Sequence, residues 1–376
     1  MTIQKPPMGW NSWNTFGPNI NEELIRTTAD IMVSEGFLAA GYEYLVIDDC
    51  WAEMTRDENG KLTASREKFP NGMKAVADYV HSKGLKFGMY SSAGSLTCAG
   101  YPASFDHEFT DAQTFAEWGV DFLKYDYCFK PTNEYGPQLY RRMGTALANC
   151  GRDILFSACS WGADNTREWI KTTGAHMWRS TGDITDNWES VKTLYGIQKD
   201  THPYNGAGCF NDMDMLVVGM NGKGNVGFGG CTLEEYRTHF SIWALFASPL
   251  MMGCDIRSCS DEVKAILQNR AIIEVDQDPA YRQPYLANAT NAGSGDVWCR
   301  MMANGDLVLG MFNFFDDARA PFVAFADLGL GGSADIALSI TDLWTGEELG
   351  VFKDMYRSPV IGAHCCRMLR CKVIHA

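Results

Sequence analysis

The chain has 376 residues, 46% hydrophobic and 21% charged, a composition that suits one barrel-sized domain plus a smaller one and excludes a disordered chain. The formal net charge of -14 argues against a nucleic-acid or anionic-membrane partner, either of which would want a basic patch. No run of 18 apolar residues occurs, so no membrane span is expected, and no signal peptide is evident ahead of the first motif at Pro6.

In chain order, Pro7-Met8-Gly9-Trp10-Asn11-Ser12-Trp13 comes first. Asn21 is a candidate N-cap for a helix with Leu24, Ile25, Thr28, Ile31 and Met32 at helical spacing. The run Tyr44–Ile47 ends in Asp48-Asp49-Cys50-Trp51. A helix over 73–83 precedes the run Leu85–Tyr90, and one over 112–118 precedes Phe122–Tyr125. Further runs are expected at Ile154–Ala158, His176–Arg179, Met213–Val218 and Ser248–Met252, with helices over 135–149, 166–173, 188–198, 233–246 and 261–267. About eight strand–helix repeats predict a (β/α)₈ barrel over 1–283; a doubly wound sheet usually needs fewer strands. After Asp278-Pro279 the pattern becomes short strand-like runs split by Gly, Asn and Asp, which predicts an antiparallel β domain over 284–376.

Trp13, Asp48, Asp49, Tyr90, Asp126, Ser160, Arg179 and Asp183 all follow strand runs. In a barrel such positions gather at the C-terminal rim, where active sites lie. Strand alternation puts Lys124 on the same side as Asp126, and a nearby cation is expected to lower the acid's pKa. Asp126 and Asp183 supply the two carboxylates that glycoside hydrolysis needs, with Arg179 four residues before Asp183. For any single acid, an ion pair or helix N-cap is the competing account. Adjacent Asp48 and Asp49 repel unless donors occupy them; sugar hydroxyls would serve, with Trp51 and Trp13 as an apolar wall, and structural caps or salt bridges would serve as well.

Two further features are expected to be structural. Gly222-Lys223-Gly224-Asn225-Val226-Gly227 fits G-x-G-x-x-G, but the next helix starts later, at a capping box Thr232…Glu235, so a flexible loop is predicted. Cys365-Cys366 is expected to be a pair of buried thiols. The 13 cysteines, without C-x-x-C pairs or metal-ligand spacing, predict free thiols in a reducing cytoplasm and no metal.

With these residues in hand, the chain resembles glycoside hydrolase family 27, the α-galactosidases and α-N-acetylgalactosaminidases. Met8–Trp13, Ile47–Trp51, Thr97-Cys98-Ala99-Gly100, Lys124–Cys128, Arg179–Asp183 and Asn211–Met215 fall in the family's order. The resemblance implies a (β/α)₈ barrel followed by an antiparallel β-sandwich, and a retaining exo-α-glycosidase without cofactor. Asp126 would be the nucleophile and Asp183 the acid, then base. Asp48 and Asp49 would bind the 4- and 6-hydroxyls, Lys124 the 3- and 4-hydroxyl side, and Arg179 the neighbourhood of the 2-position. Trp13 would be the platform, Tyr90 a neighbour of the nucleophile, and Met215 a lining residue. Cys98 and Cys128 match a family disulfide, whereas the position expected to partner Cys159 is Ala175 and Cys50 has no N-terminal partner, which fits an intracellular enzyme.

Many α-galactosidases carry Cys-Glu-Trp after the fifth strand, the Glu binding the 2-hydroxyl. This chain has Cys159-Ser160-Trp161-Gly162-Ala163. Ser160 and Ala163 resemble the animal α-N-acetylgalactosaminidases: a smaller side chain leaves volume for an acetamido group, and Ser adds a hydroxyl donor. The resemblance therefore favours α-N-acetylgalactosaminidase, with α-galactosidase the alternative and an inactive carbohydrate-binding barrel a remote one. The implied partner is an oligosaccharide or glycoconjugate ending in α-galactose or α-N-acetylgalactosamine, and homo-oligomerisation is left open.

Overall fold

The structure, a computed structural model, describes residue 3 and residues 5–330 and 335–375. Eight parallel strands form the first unit: β1 (Met8–Asn11), β2 (Tyr44–Val46), β3 (Lys86–Ser92), β4 (Phe122–Asp126), β5 (Leu155–Ala158), β6 (Met177–Arg179), β7 (Phe210–Asp212) and β8 (Leu250–Met252). They pair in the order β7-β6-β5-β4-β3-β2-β1-β8. Just past β7, Leu216 closes the ring: its N–H donates to Met251 O (2.7 Å) and its C=O accepts from Gly253 N–H (2.9 Å).

The seventh strand is Phe210–Asp212 and not the apolar run Met213–Val218. Both stretches are mostly buried, so apolarity alone does not separate them; Asp214 at φ 82° breaks the extended backbone between them. The helices stand close to their expected spans. Asn21 caps Glu22–Ser34 by accepting from Leu24 N–H, a contact usually worth about 1 kcal/mol. The Thr232/Glu235 capping box opens Leu233–Leu245. Trp13–Phe16, Phe37–Ala40 and Arg270–Asp276 lie outside the expected helices; the two four-residue turns are too short to show a period.

Period-two alternation decides which side chains enter the barrel. Tyr44 and Val46, Phe122, Leu155, Met177, Phe210 and Met251 pack together with Met215 as the apolar filling of the lumen, and Trp13 leans on it. Gly88 sits beside this layer, where a Cβ would come 2.6 Å from Val46 Cγ2. One step further along the same strand faces stand Asp48, Lys124 and Asp126, and Arg179. The apolar layer is thus the floor of a polar chamber.

The second unit begins with β9 (Tyr285–Leu286) and adds β10 (Asp296–Met301), β11 (Leu307–Phe312), β12 (Phe322–Ala324), β13 (Ile336–Asp342), β14 (Glu348–Phe352), β15 (Met355–Arg357) and β16 (Cys366–His375). Six of them form an antiparallel sheet, β14-β13-β16-β11-β10-β9; β12 and β15 pair separately. Alternation again assigns the faces. Trp298, Val308, Phe312 and Met368 join the core shared with the barrel helices. Val297, Cys299, Leu309, Leu338 and Leu369 pack with Val323 and Tyr356 of the β12–β15 pair. Long β16 escaped the sequence because Arg367, Arg370 and Lys372 interrupt its apolar residues.

Candidate active site

A cavity of about 460 Å³ opens at the C-terminal ends of the barrel strands. Its lining includes Trp13, Asp48, Asp49, Tyr90, Lys124, Asp126, Arg179, Asp183 and Met215, nine of the positions expected from the sequence. Cys98 and Cys128 also line it and are joined by a disulfide. The bridge closes 30 residues, which in the chain-entropy account removes about 3–4 kcal/mol of freedom from the unfolded chain, and it ties the loop after β3 to the end of β4. The other eleven cysteines are thiols.

Asp126 ends β4 and is buried. Its Oδ2 accepts from Tyr90 Oη (3.0 Å) and its Oδ1 from the Tyr127 N–H (2.9 Å). Lys124, one inward position below, donates instead to Asp48 Oδ2 at 2.8 Å. The expected lowering of the Asp126 pKa is therefore corrected. Burial outweighs the attraction of Lys124 and pushes the carboxyl up to about 6.

The Asp48–Asp49 repulsion is met by donors from the chain itself. Asp48 Oδ2 also accepts from Asn11 Nδ2 (2.7 Å), and Asp48 Oδ1 accepts from the Asp49 N–H (3.0 Å). Asp49 Oδ2 accepts from the Ala99 N–H (2.8 Å) and Asp49 Oδ1 from the Cys50 N–H (2.7 Å). Lys124 and Asn11 fill Asp48 Oδ2, whereas Asp48 Oδ1 has one donor and keeps a lone pair for a hydroxyl from the cavity. The pair is held in place, with capacity left over.

Across the cavity, Arg179 Nη2 meets Asp183 Oδ1 at 2.7 Å and Asp214 Oδ2 at 2.8 Å. Asp183 has a side chain 75% exposed, whereas Arg179 and Asp214 are buried. Partial desolvation by the surrounding cavity wall raises the Asp183 carboxyl, but Arg179 wins and holds it below the usual carboxylate range.

Four expectations are corrected here. Ser160 is fully buried outside the cavity, its Oγ within 2.6 Å of Thr166 Oγ1. Ala163 does not line the cavity and packs against the surrounding core. Alternation explains Ser160: continued past β5, it aims Leu155, Ser157 and Cys159 inward and Ser160 outward, whereas Ala163 follows the left-handed Trp161 (φ 57°) and Gly162 (φ 77°), where the strand rule no longer holds. Trp161 itself lines the cavity from that turn, a role its sequence context does not signal. Trp51 stands behind the chamber, donating to Tyr90 O (2.9 Å) and packing edge-on to Trp118. Cys365 and Cys366 are half-buried rather than buried: Cys366 opens β16 and Cys365 lies in the turn before it.

Asp164, Asn11 and Asp214 also escaped the sequence reading as site residues. Asp164 receives the Tyr127 hydroxyl and the Gly136 N–H, which fastens the Trp161 loop to the residue after Asp126. No local motif marks such long-range partners. The glycine-rich loop is structural. Asp186 accepts from the Gly222 N–H (2.7 Å) and the Cys231 N–H (3.2 Å), and the Asn225 N–H donates to Thr15 O (3.1 Å). Those amides are spent within the chain and are not free to cradle a phosphate. The metal-capable grouping among the described residues is Cys98, Asp126 and Cys128, and its two sulfurs are already bonded to each other.

Residues 5–278 match the family model described as alpha galactosidase A, and residues 292–371 match the alpha galactosidase C-terminal beta sandwich domain. An α-galactosidase of Cyamopsis tetragonoloba is 43% identical over 366 residues, covering 97% of this chain and 85% of that protein. One from Coffea arabica is 45% identical over 365 residues, covering 96% and 92%. Among solved structures, α-galactosidase I of Mortierella vinacea superposes with a TM-score of 0.88 at 32% identity, covering 98% of this chain and 97% of that one. The Saccharomyces cerevisiae α-galactosidase solved with raffinose gives 0.87 at 28% identity, covering 98% of each chain. With its cavity at the barrel rim and its β-sandwich behind, the chain belongs to the α-galactosidase family, glycoside hydrolase family 27, and is a glycoside hydrolase.

Proposed function

We propose that the protein is a retaining exo-α-galactosidase. The observation that carries the choice of sugar is the outward turn of Ser160, which removes the hydroxyl that an acetamido group would need. The names of the relatives point the same way. In this reading Asp126 attacks the anomeric carbon while Asp183 protonates the departing glycosidic oxygen. A β-linked galactosyl ester on Asp126 results. Asp183 then takes a proton from water, which attacks the ester and releases galactose with its α configuration retained. Asp48, Asp49 and Lys124 hold hydroxyls, and Trp13 offers its face to the ring. Paired p-nitrophenyl substrates test the sugar. kcat/KM on the α-galactoside is expected to exceed that on the α-N-acetylgalactosaminide by about 10–200-fold, the range that pocket fit supplies. A preference for the N-acetylated sugar would overturn the choice.

The two acids titrate in separate ranges, Asp183 below the usual carboxylate value and Asp126 at about 6. Between the lowered value of Asp183 and about 6 the pair carries one proton, which rests on Asp126 in the free site. The reaction needs that same single proton on Asp183, and a leaving sugar that covers exposed Asp183 strips its water and draws the proton to it. As pH rises through about 6 the proton is lost. kcat/KM on an oligosaccharide is therefore expected to fall above that pH; a profile still rising at pH 8, about two units higher, would contradict it.

A further inference from the structure

Arg179 is shared between two unequal partners. Asp183 meets it from the solvent side, and Asp214 meets it from within the protein. Attraction between charges strengthens as water is withdrawn, so the buried partner has the stronger hold. Asp214 is also the more firmly fixed. Its Oδ2 accepts from the Ile184 N–H (2.7 Å), the residue next to Asp183, and its Oδ1 from the Met215 N–H (2.8 Å). Trp243 Nε1 donates to its carbonyl at 2.7 Å. Its backbone takes the left-handed conformation, φ 82°, which costs a residue with a Cβ on the order of 1 kcal/mol and aims the carboxylate from the end of β7 at the loop after β6.

We propose that Asp214 is a positioning residue for the glycosidase reaction: it holds Arg179 and the Asp183–Ile184 backbone so that Asp183 can carry the proton given to the leaving group. The role rests on the retaining-glycosidase reading above. A guanidinium paired with Asp183 alone would keep that carboxylate ionised, which is the wrong state for an acid. A second carboxylate on the same guanidinium takes up its charge and makes protonation of Asp183 easier. The other charged or titratable groups facing this cluster are Lys124 and Asp126 on β4, Cys159 past β5 and Asp212 on β7. Lys124 is engaged by Asp48, and Asp212 Oδ1 accepts from the Asp214 N–H at 2.9 Å. Neither reaches Arg179 as Asp214 does.

The test is Asp214→Asn, which keeps the shape, tolerates the left-handed backbone and removes the charge. Raffinose needs a proton on its leaving sugar; α-galactosyl fluoride has a leaving group that departs without one. The ratio of kcat/KM on raffinose to kcat/KM on the fluoride is expected to fall about tenfold, the effect of moving one pKa by one unit, and the acid limb of the raffinose profile should move to lower pH. A loss of packing alone would lower both substrates together. A ratio that stays within about threefold of the wild-type value, with the fluoride still hydrolysed, overturns the role. A wild-type protein that hydrolyses neither substrate overturns the glycosidase reading itself, and the role with it. Asp214→Ser, measured in the same way with its melting temperature, serves if the Asn variant does not fold.

Discussion

Asp126→Asn is expected to lower kcat on α-galactosides by about 10⁴-fold or more, because the amide cannot form the covalent ester and no other group can replace it. The melting temperature should change far less, since Asn can accept from the Tyr127 N–H with its oxygen and donate its NH2 to the Tyr90 hydroxyl oxygen. A shorter variant makes the chemistry visible. In Asp126→Ala, azide can occupy the vacated space and attack the substrate directly, giving β-galactosyl azide, the inverted product. Near-normal turnover in the Asn variant, or no azide product from the Ala variant on an activated substrate, would remove Asp126 from the nucleophile's position.

Asp183→Ala has the second-largest expected effect, and its form differs. The loss should be about 10²–10⁴-fold on raffinose, the usual worth of general acid catalysis, and much smaller on α-galactosyl fluoride, which needs no proton for departure. Deglycosylation then lacks a base, so the galactosyl ester should accumulate. Azide needs no base and should release it as α-galactosyl azide, with retained configuration. The same nucleophile thus yields opposite anomers from the two variants, and that contrast assigns the two carboxylates separately. Equal losses on both substrates would show that Asp183 shapes the cavity rather than moving a proton. Its 75% exposure and the Arg179 contact at 2.7 Å suit a group that reaches substrate at the mouth.

Inward alternation along the strands links the fold to this chemistry. Phe122, Lys124 and Asp126 rise along one face of β4 as an apolar floor, a cation and a carboxylate. Most of the cavity was legible for this reason: a residue two positions beyond a buried strand residue must point into the same space. The rule also explains the failure at Ser160. The residue types of Cys159-Ser160-Trp161 suggest a hydroxyl donor in the cavity, but alternation past β5 aims Cys159 inward and Ser160 outward. Trp51 failed similarly; its indole supports Tyr90 from behind.

By itself, the sequence determined the repeating strand–helix order, the helix caps at Asn21 and Thr232 and the carboxylates at the strand ends, because these follow from local periodicity and short-range hydrogen bonding. It also determined the family, because the motifs fall in a fixed order. Only the tertiary structure decided which carboxylate each cation serves. Lys124 pairs with Asp48, 76 residues away in the chain, rather than with Asp126 two residues on; Arg179 is divided between Asp183 and Asp214. It likewise decided that burial, and not a neighbouring charge, sets the proton affinity of Asp126. Desolvation and ion pairing depend on what closes around a group in space, and strand spacing along the chain carries no record of that.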